Sequence, residues 1–390
     1  MTKKFYCLIL LIFLLPFCGC GKEIKKEPQT LIYDTKSPLT MFGSISLDKQ
    51  IKTTDAATLY KLQKLPLAGV FPVRNFLEKQ VALSFEPKSS QDPDSVQTNA
   101  NPNNNNSPVV IDASGFFTTF AAPPKKVAVL FSSYAQIWQD AGGTVSITVS
   151  ESIDRGLVSK SSVSIVGSGT GKVIDMERLL SLEPDLVILT NDYSEHVELA
   201  ELLRDNKIKT LLFQVDSFLD YLSVLKSCTT ILNTPEKYET FGTKILDTVE
   251  QVIEKTSHAK NLPKVLFLEA SPQGIKVKPN NHFVCGMLQE MKAVNIVPES
   301  FMKSDTLSPE IILTSNVDQI LISFTGGSLD ETKQLVEQEF LKNPLYQDLK
   351  AIKERRYYFL PKELFSYPPN KDWGKAYEYL ANLLYPKEPQ

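Results

Sequence analysis

The sequence predicts an α/β protein of two lobes, each with a mostly parallel sheet flanked by helices, joined by one long helix. Three observations carry this. From residue 109 onward, short apolar strands alternate with amphipathic helices, the pattern that builds parallel sheets. A helix–turn–strand unit at 175–190, DMERLLSLEPDLVILT, returns 133 residues later at 308–323 as SPEIILTSNVDQILIS. Between the two copies runs a helical pattern long enough to reach across a small domain.

The repeat agrees position by position. Glu177 matches Glu310, Leu179 and Leu180 match Ile312 and Leu313, and Asp185 matches Asp318. Val187, Ile188 and Leu189 match Ile320, Leu321 and Ile322, and the hydroxyls Thr190 and Ser323 close the strands. A continuous apolar run such as 186–189 is expected of a strand covered on both faces.

Residues 1–20 read as a leader. Lys3 and Lys4 precede a 13-residue apolar run at 5–17, too short to span a bilayer comfortably and suited to a signal-peptide core. It ends in Phe-Cys-Gly-Cys, so Cys20, with Gly19 before it, is the candidate lipidated N-terminus; a plain secretory signal or an uncleaved anchor is the alternative. Acyl chains on Cys20 would hold the protein to a bilayer without a spanning helix.

Residues 21–28 read as a short charged tether, and 30–87 as an extension of unassigned order whose pattern allows a helix at 56–65 and a strand at 81–85. The stretch 89–108 contains NANPNNNNSP and almost no apolar surface, so a disordered linker is expected. Charge is nearly balanced, 42 basic against 45 acidic side chains, and no basic block carries interleaved aromatics, which argues against nucleic acid. Beyond the leader only Cys228 and Cys285 remain; each sits in an apolar periodic segment and reads as a buried free thiol.

The first lobe is expected at 109–234. A hairpin turns at Ser114-Gly115, strands follow at 126–131, 163–166 and 210–215, and helices at 194–205 and 218–232. Thr234-Pro235 then opens the long helix, with Thr as cap and Pro in the first turn. Tyr238, Phe241, Ile245, Val249 and Val252 keep one seam over roughly 20 residues, about 30 Å at 1.5 Å per residue. Gly242 is its only weak point. It reads as a stiff spacer at 235–258; an ordinary surface helix is the alternative. In the second lobe, 259–390, strands are expected at 265–268, 275–278 and 356–360, with helices at 283–291, 330–341, 345–352 and 372–384.

These features together resemble the substrate-binding proteins of bacterial ABC importers for iron chelates, haem and cobalamin. The residues that carry the likeness are the leader with its cysteine, VVIDASG ahead of PKKVAVL, the unit from Glu177 to Asp185, 343–353, 358–361 and 373–386. The resemblance implies a ligand held between the lobes, a monomer, and no enzymatic activity, resident cofactor or protein-bound metal. It implies docking to an ABC permease and its ATPase subunits through one glutamate per lobe, here Glu177 and Glu310. It also places the protein in the cell envelope, facing the periplasm or the exterior. A surface lipoprotein that keeps the fold but serves as adhesin or sensor is the alternative.

Ligand loops should lie where strands end and helices begin. That selects Ser132, Ser133, Tyr134, Ser168, Gly169, Asn191, Asp192 and Tyr193 in the first lobe, and Ser271, Gln273, His282, Phe283, Phe324, Thr325, Phe365 and Tyr367 in the second. Hydroxyls and aromatics dominate and arginine is nearly absent, which favours a neutral or macrocyclic ligand over a polyanionic chelate. GSGTGK at 167–172 fails as a phosphate loop, because Val166 and Val173 stand where Gly and Ser or Thr are required. The three histidines, His196, His258 and His282, are scattered, and His282 reads as an exposed loop residue, with a haem-iron ligand as the alternative.

Overall fold

The computed structural model describes residues 107–297 and 309–386, all within one compact unit. The leader with Cys20, the tether, the 56–65 helix, the 81–85 strand and the linker up to 106 lie outside the described residues.

The strands of the N-terminal lobe are β1 Val109–Ile111, β2 Phe117–Thr119, β3 Val127–Val129, β4 Ile147–Val149, β5 Ser164–Ser168, β6 Val173–Ile174, β7 Leu186–Thr190 and β8 Lys209–Phe213. The first two pair as the expected hairpin. The other six form one sheet in the order β6-β5-β4-β3-β7-β8, parallel except for the β5–β6 edge. Around it lie α1 Ser132–Asp140, α2 Ser150–Asp154, α3 Met176–Ser181, α4 Ser194–Asp205 and α5 Phe218–Leu232.

Then comes the long helix, in three pieces: α6 Pro235–Tyr238, a π turn Glu239–Thr243, and α7 Lys244–Ser257. The expected uniform helix is therefore corrected to one with a widened turn. Gly242 sits in that turn, where an added Cβ would lie 3.0 Å from the Tyr238 ring. The bulge is thus accommodated by the residue that lacks a side chain.

The C-terminal lobe has β9 Lys264–Ser271, β10 Gly274–Val277, β11 Val294–Asn295, β12 Gln319–Phe324 and β13 Tyr357–Phe359, in the order β10-β9-β12-β13 with β11 also against β9. The β9–β12 and β12–β13 pairs are parallel. Its helices are α8 Phe283–Glu290, α9 Pro309–Thr314, α10 Leu329–Val336, α11 Lys350–Lys353, α12 Lys362–Phe365 and α13 Trp373–Leu384. The helix expected over 345–352 is broken: Leu349 turns extended (ψ 130°) and is buried, leaving a single 3-10 turn before it and α11 after it.

Strand alternation sorts the core into three layers. Leu186 and Ile188 face one side of the first sheet, Val187 and Leu189 the other; Val265 and Phe267 face one side of the second sheet, Leu266 and Leu268 the other. The middle layer is continuous. It joins Val127, Leu186 and Leu211 to Val265, Phe267 and Leu321 through Leu246, Val249 and Val252 of α7 and Trp373, Tyr377 and Leu380 of α13. Cys228 and Cys285 lie in this layer as buried free thiols. Among the described residues no helix is long and apolar enough to cross a membrane.

Candidate functional site

Loops at the carboxyl ends of β3, β7 and β8 approach the start of α8 and the segment after α12. A cavity of about 230 Å³ lies between them. From the first lobe it takes Phe131, Ser133, Tyr134, Asp192, Val215 and Asp216; from the second, Asn281, His282, Phe283, Ser366, Pro368 and Asn370. No Lys or Arg is among these lining residues. Burial first, then the Asp192 charge, raises the Tyr134 phenol well above its ordinary range, so it stays neutral beside Thr190 Oγ1 at 3.3 Å.

The two walls are tied together. Asn370 Nδ2 donates to the Ser133 carbonyl and to Gln136 Oε1, both at 3.0 Å. Asn370 is buried and has a left-handed φ of 51°. Tyr367 Oη donates to Glu151 Oε1 at 3.3 Å, and the Arg155 guanidinium lies 4.7 Å above the Tyr367 ring. On the other side of that pair, Arg155 donates to Ser132 Oγ (2.8 Å) and Ser133 Oγ (3.1 Å), and Ser132 Oγ donates to Glu151 Oε2 at 2.5 Å. Ser132 Oγ thereby bridges the Glu151 carboxylate and the Arg155 guanidinium beside the lining residue Ser133.

His282 is not an exposed loop residue. It caps α8, with Nδ1 accepting from the Val284 amide at 3.3 Å, while Nε2 faces Glu269 Oε2 at 3.5 Å. Its ring lies 5.0 Å from Phe267 and 4.7 Å from Phe283. Burial lowers its pKa although Glu269 opposes this, so the ring is neutral near pH 7. Burial pushes the Glu269 carboxyl up, but hydrogen bonds from His282 and Lys278 outweigh it and bring the group to about 2.

Of the sequence candidates, Ser133, Tyr134, Asp192, His282 and Phe283 line the cavity, and Ser132 and Tyr367, each next in sequence to lining residues, meet at Glu151. Tyr193 packs behind Phe131 at 5.7 Å, and Asn191 donates to Gln214. The others are elsewhere. Ser168 and Gly169 are exposed on the β5–β6 turn, and Ser271 and Gln273 belong to the β9–β10 turn. Phe324 and Phe365 are core residues, 1% and 0% exposed, and the Thr325 amide bonds the Ala270 carbonyl beside β9.

The GSGTGK stretch is a tight turn that braces β3. Gly171 has φ +88°, and a Cβ there would meet the Leu130 carbonyl at 2.3 Å. Its own carbonyl takes the His196 Nε2 hydrogen at 2.7 Å. Arg155 and Glu151 are the residues that sequence reasoning missed. Glu151 lies on α2 and Arg155 caps its C-terminal end, just after the three-residue β4; the alternation of Val145, Ile147 and Val149, all buried, is the signal that marks that strand.

Glu177 and Glu310 are both exposed, each in the first turn of its helix, α3 and α9. Among the described residues no three His, Cys, Asp or Glu side chains gather as a metal site.

A family model described as periplasmic binding protein matches residues 127–364, more than half of the chain. The chain belongs to the periplasmic binding protein family. Such proteins bind solutes for transport and are not enzymes, and they work outside the cell or in its envelope. Among curated relatives of this periplasmic binding protein, the high-affinity heme uptake system protein IsdE of Staphylococcus aureus is 28% identical over 141 residues, 36% of this chain and 48% of the relative. The chain therefore spans about half the length of the curated relatives it matches. Three solved structures share its fold. An ABC transporter substrate-binding protein from Listeria monocytogenes EGD-e gives a TM-score of 0.55 at 18% identity, covering 68% of this chain and 100% of the other. The periplasmic heme-binding protein RhuT from Roseiflexus sp. RS-1 gives 0.54 at 20%, covering 67% and 98%. Staphylococcus aureus IsdE complexed with heme gives 0.53 at 17%, covering 67% and 98%.

Proposed function

We propose that this protein is the lipid-anchored solute-binding component of an ABC importer, and that its cargo is a metal chelate or macrocycle of the haem, hydroxamate-siderophore or cobalamin type. The observation that carries the reading is the seam cavity, with Phe131, Tyr134, Phe283 and His282 on its walls and no lysine or arginine lining it. Aromatic faces stack on a flat or bulky ligand, and walls whose acidic side chains are Asp192 and Asp216, with no lysine or arginine among the lining residues, disfavour a polyanion. The likeness to the heme uptake protein IsdE supports the same class.

At about 230 Å³ the cavity is smaller than the roughly 300–1,000 Å³ of drug-sized ligand sites. Capture therefore requires the mouth to part, with Tyr367 leaving Glu151. In this reading Cys20 carries the anchor, residues 21–108 tether the binding unit, 109–234 and 259–390 are the lobes, and 235–258 joins them. Glu177 and Glu310 dock onto permease arginines, where paired charges set orientation as much as affinity. Purification of the native protein, followed by absorbance and mass spectrometry of what accompanies it, tests the ligand class. A Soret, corrin or ligand-to-metal band supports it; a co-purified bare cation or sugar refutes it.

A further inference from the structure

The repeat carries more than its two glutamates. One turn on from Glu177 stands Leu180, and one turn on from Glu310 stands Leu313; each leucine is 37% exposed. Residues three apart on a helix share a face, so each glutamate has an exposed leucine beside it. The buried partner of each unit, Leu179 at 0% and Ile312 at 3%, turns that face outward in both lobes. The chain then leaves each helix alike, through a left-handed residue (Glu183 φ 45°, Asn316 φ 49°). It enters a strand that pairs parallel with the first strand of its sheet, β7 with β3 and β12 with β9. The exposed pair is therefore held in the same relation to both sheets.

Exposed leucines occur singly on many surfaces. Two at equivalent positions, each beside a carboxylate, are a patch made twice. A duplicated patch of one sign fits a partner that presents its complement twice, as a symmetric dimer does. We infer that Leu180 and Leu313 are the apolar halves of two equivalent docking patches, Glu177–Leu180 and Glu310–Leu313, and that the occupant is a permease dimer offering a cation beside an apolar socket in each copy. The inference rests on the importer reading and deepens it. In each patch the leucine excludes water from the neighbouring ion pair, the arrangement that makes an interfacial charge count.

The test uses the full chain with its cognate permease–ATPase complex in nanodiscs, reading the concentration that half-stimulates ATP hydrolysis. Four variants are compared with wild type: Leu180→Asn, Leu313→Asn, their double, and Glu177→Lys with Glu310→Lys. Leu202→Asn, at an exposed position of α4 outside both patches, is the control. Each single leucine variant is expected to raise the half-stimulating concentration severalfold, by the same factor in both lobes. The double should raise it at least tenfold, with Leu202→Asn unchanged and cargo affinity intact throughout. If the glutamate variant fails and the double leucine variant stays within twofold of wild type, the leucine inference is overturned and the importer reading stands. If neither pair matters, both fall.

Discussion

Asp185 and Asp318 do the same work in the two lobes. Asp185 Oδ2 accepts the Lys125 and Lys126 amides at 2.9 and 2.8 Å, and its own amide donates to the Lys126 carbonyl. Asp318 Oδ2 accepts the Lys264 amide at 3.0 Å, and its own amide donates to the Lys264 carbonyl. Each carboxylate thus pins the start of the central strand to the start of its parallel neighbour. A repeat seen in letters at 133 residues' separation is also a repeat of hydrogen bonds.

Asp185→Ala should therefore cost about 1–2 kcal/mol, from two lost charge-assisted bonds to backbone amides. Asp318→Ala should cost a similar amount, because Lys350 also pairs with it at 2.7 Å. The sites share no partners, so the double variant should be additive. Both folded-state pKa values are lowered. For Asp185 the main cause is backbone hydrogen bonding; for Asp318, burial raises the value and the Lys350 and Lys264 bonds outweigh it. Their contribution is present above the ordinary carboxylate pKa and is lost as pH falls through the depressed one, which acid unfolding of wild type and double variant will show.

Asn370 separates backbone strain from bonding. Asn370→Ala loses both cross-seam hydrogen bonds and places Ala at a left-handed φ, so a loss of about 2–4 kcal/mol is expected. Asn370→Gly loses the bonds but not the conformation and should be milder by about 1 kcal/mol. Urea unfolding distinguishes the two. Tyr367→Phe removes only the hydroxyl that reaches Glu151 and should speed cargo association severalfold in stopped flow, with little change in stability.

Glu290, at the end of α8, is bonded to the Tyr377 hydroxyl, and burial pushes its carboxyl up from 4.5 to about 7. The folded state holds this proton where the unfolded state has released it. Stability should accordingly fall as pH rises from about 4.5 to 7, then level off. Glu290→Gln keeps a neutral partner for Tyr377 and should abolish that slope, gaining at most about 3 kcal/mol at pH 8. Unfolding of both proteins at pH 5 and pH 8 gives the comparison.

Much of this was legible in the chain. The helices at 194–205 and 218–232 stand as read, because each has a strong apolar stripe and a clear start. The failures share a cause: short elements, or single residues judged by type rather than by period. β4 and α2 are three and five residues long, and missing them hid Glu151 and Arg155, the charged pair that meets Tyr367, Ser132 and Ser133. Phe324 was taken for a cleft aromatic because it ends a strand, yet it continues the face of Ile320 and Ile322, all three in one core layer. His282 was read as an exposed loop residue because its bond to the Val284 amide appears only when the chain folds.

The continuous core through α7 and α13 resists hinge bending. Cargo binding should move the lobes little, so the radius of gyration from solution scattering is expected to change by no more than about 1 Å. A single π turn does not alter this, because the helix continues through it.

The most direct test of the central claim, that cargo sits in the seam between the lobes, is a titration with the native cargo, followed by absorbance or quenching of Trp373, whose ring lies 5.9 Å from that of Phe283. The variants are His282→Ala and Phe283→Ala, with Arg356→Ala, outside the cavity lining, as control. The account predicts at least a tenfold loss of affinity for each cavity variant and none for the control. Wild-type affinity in both cavity variants would contradict it.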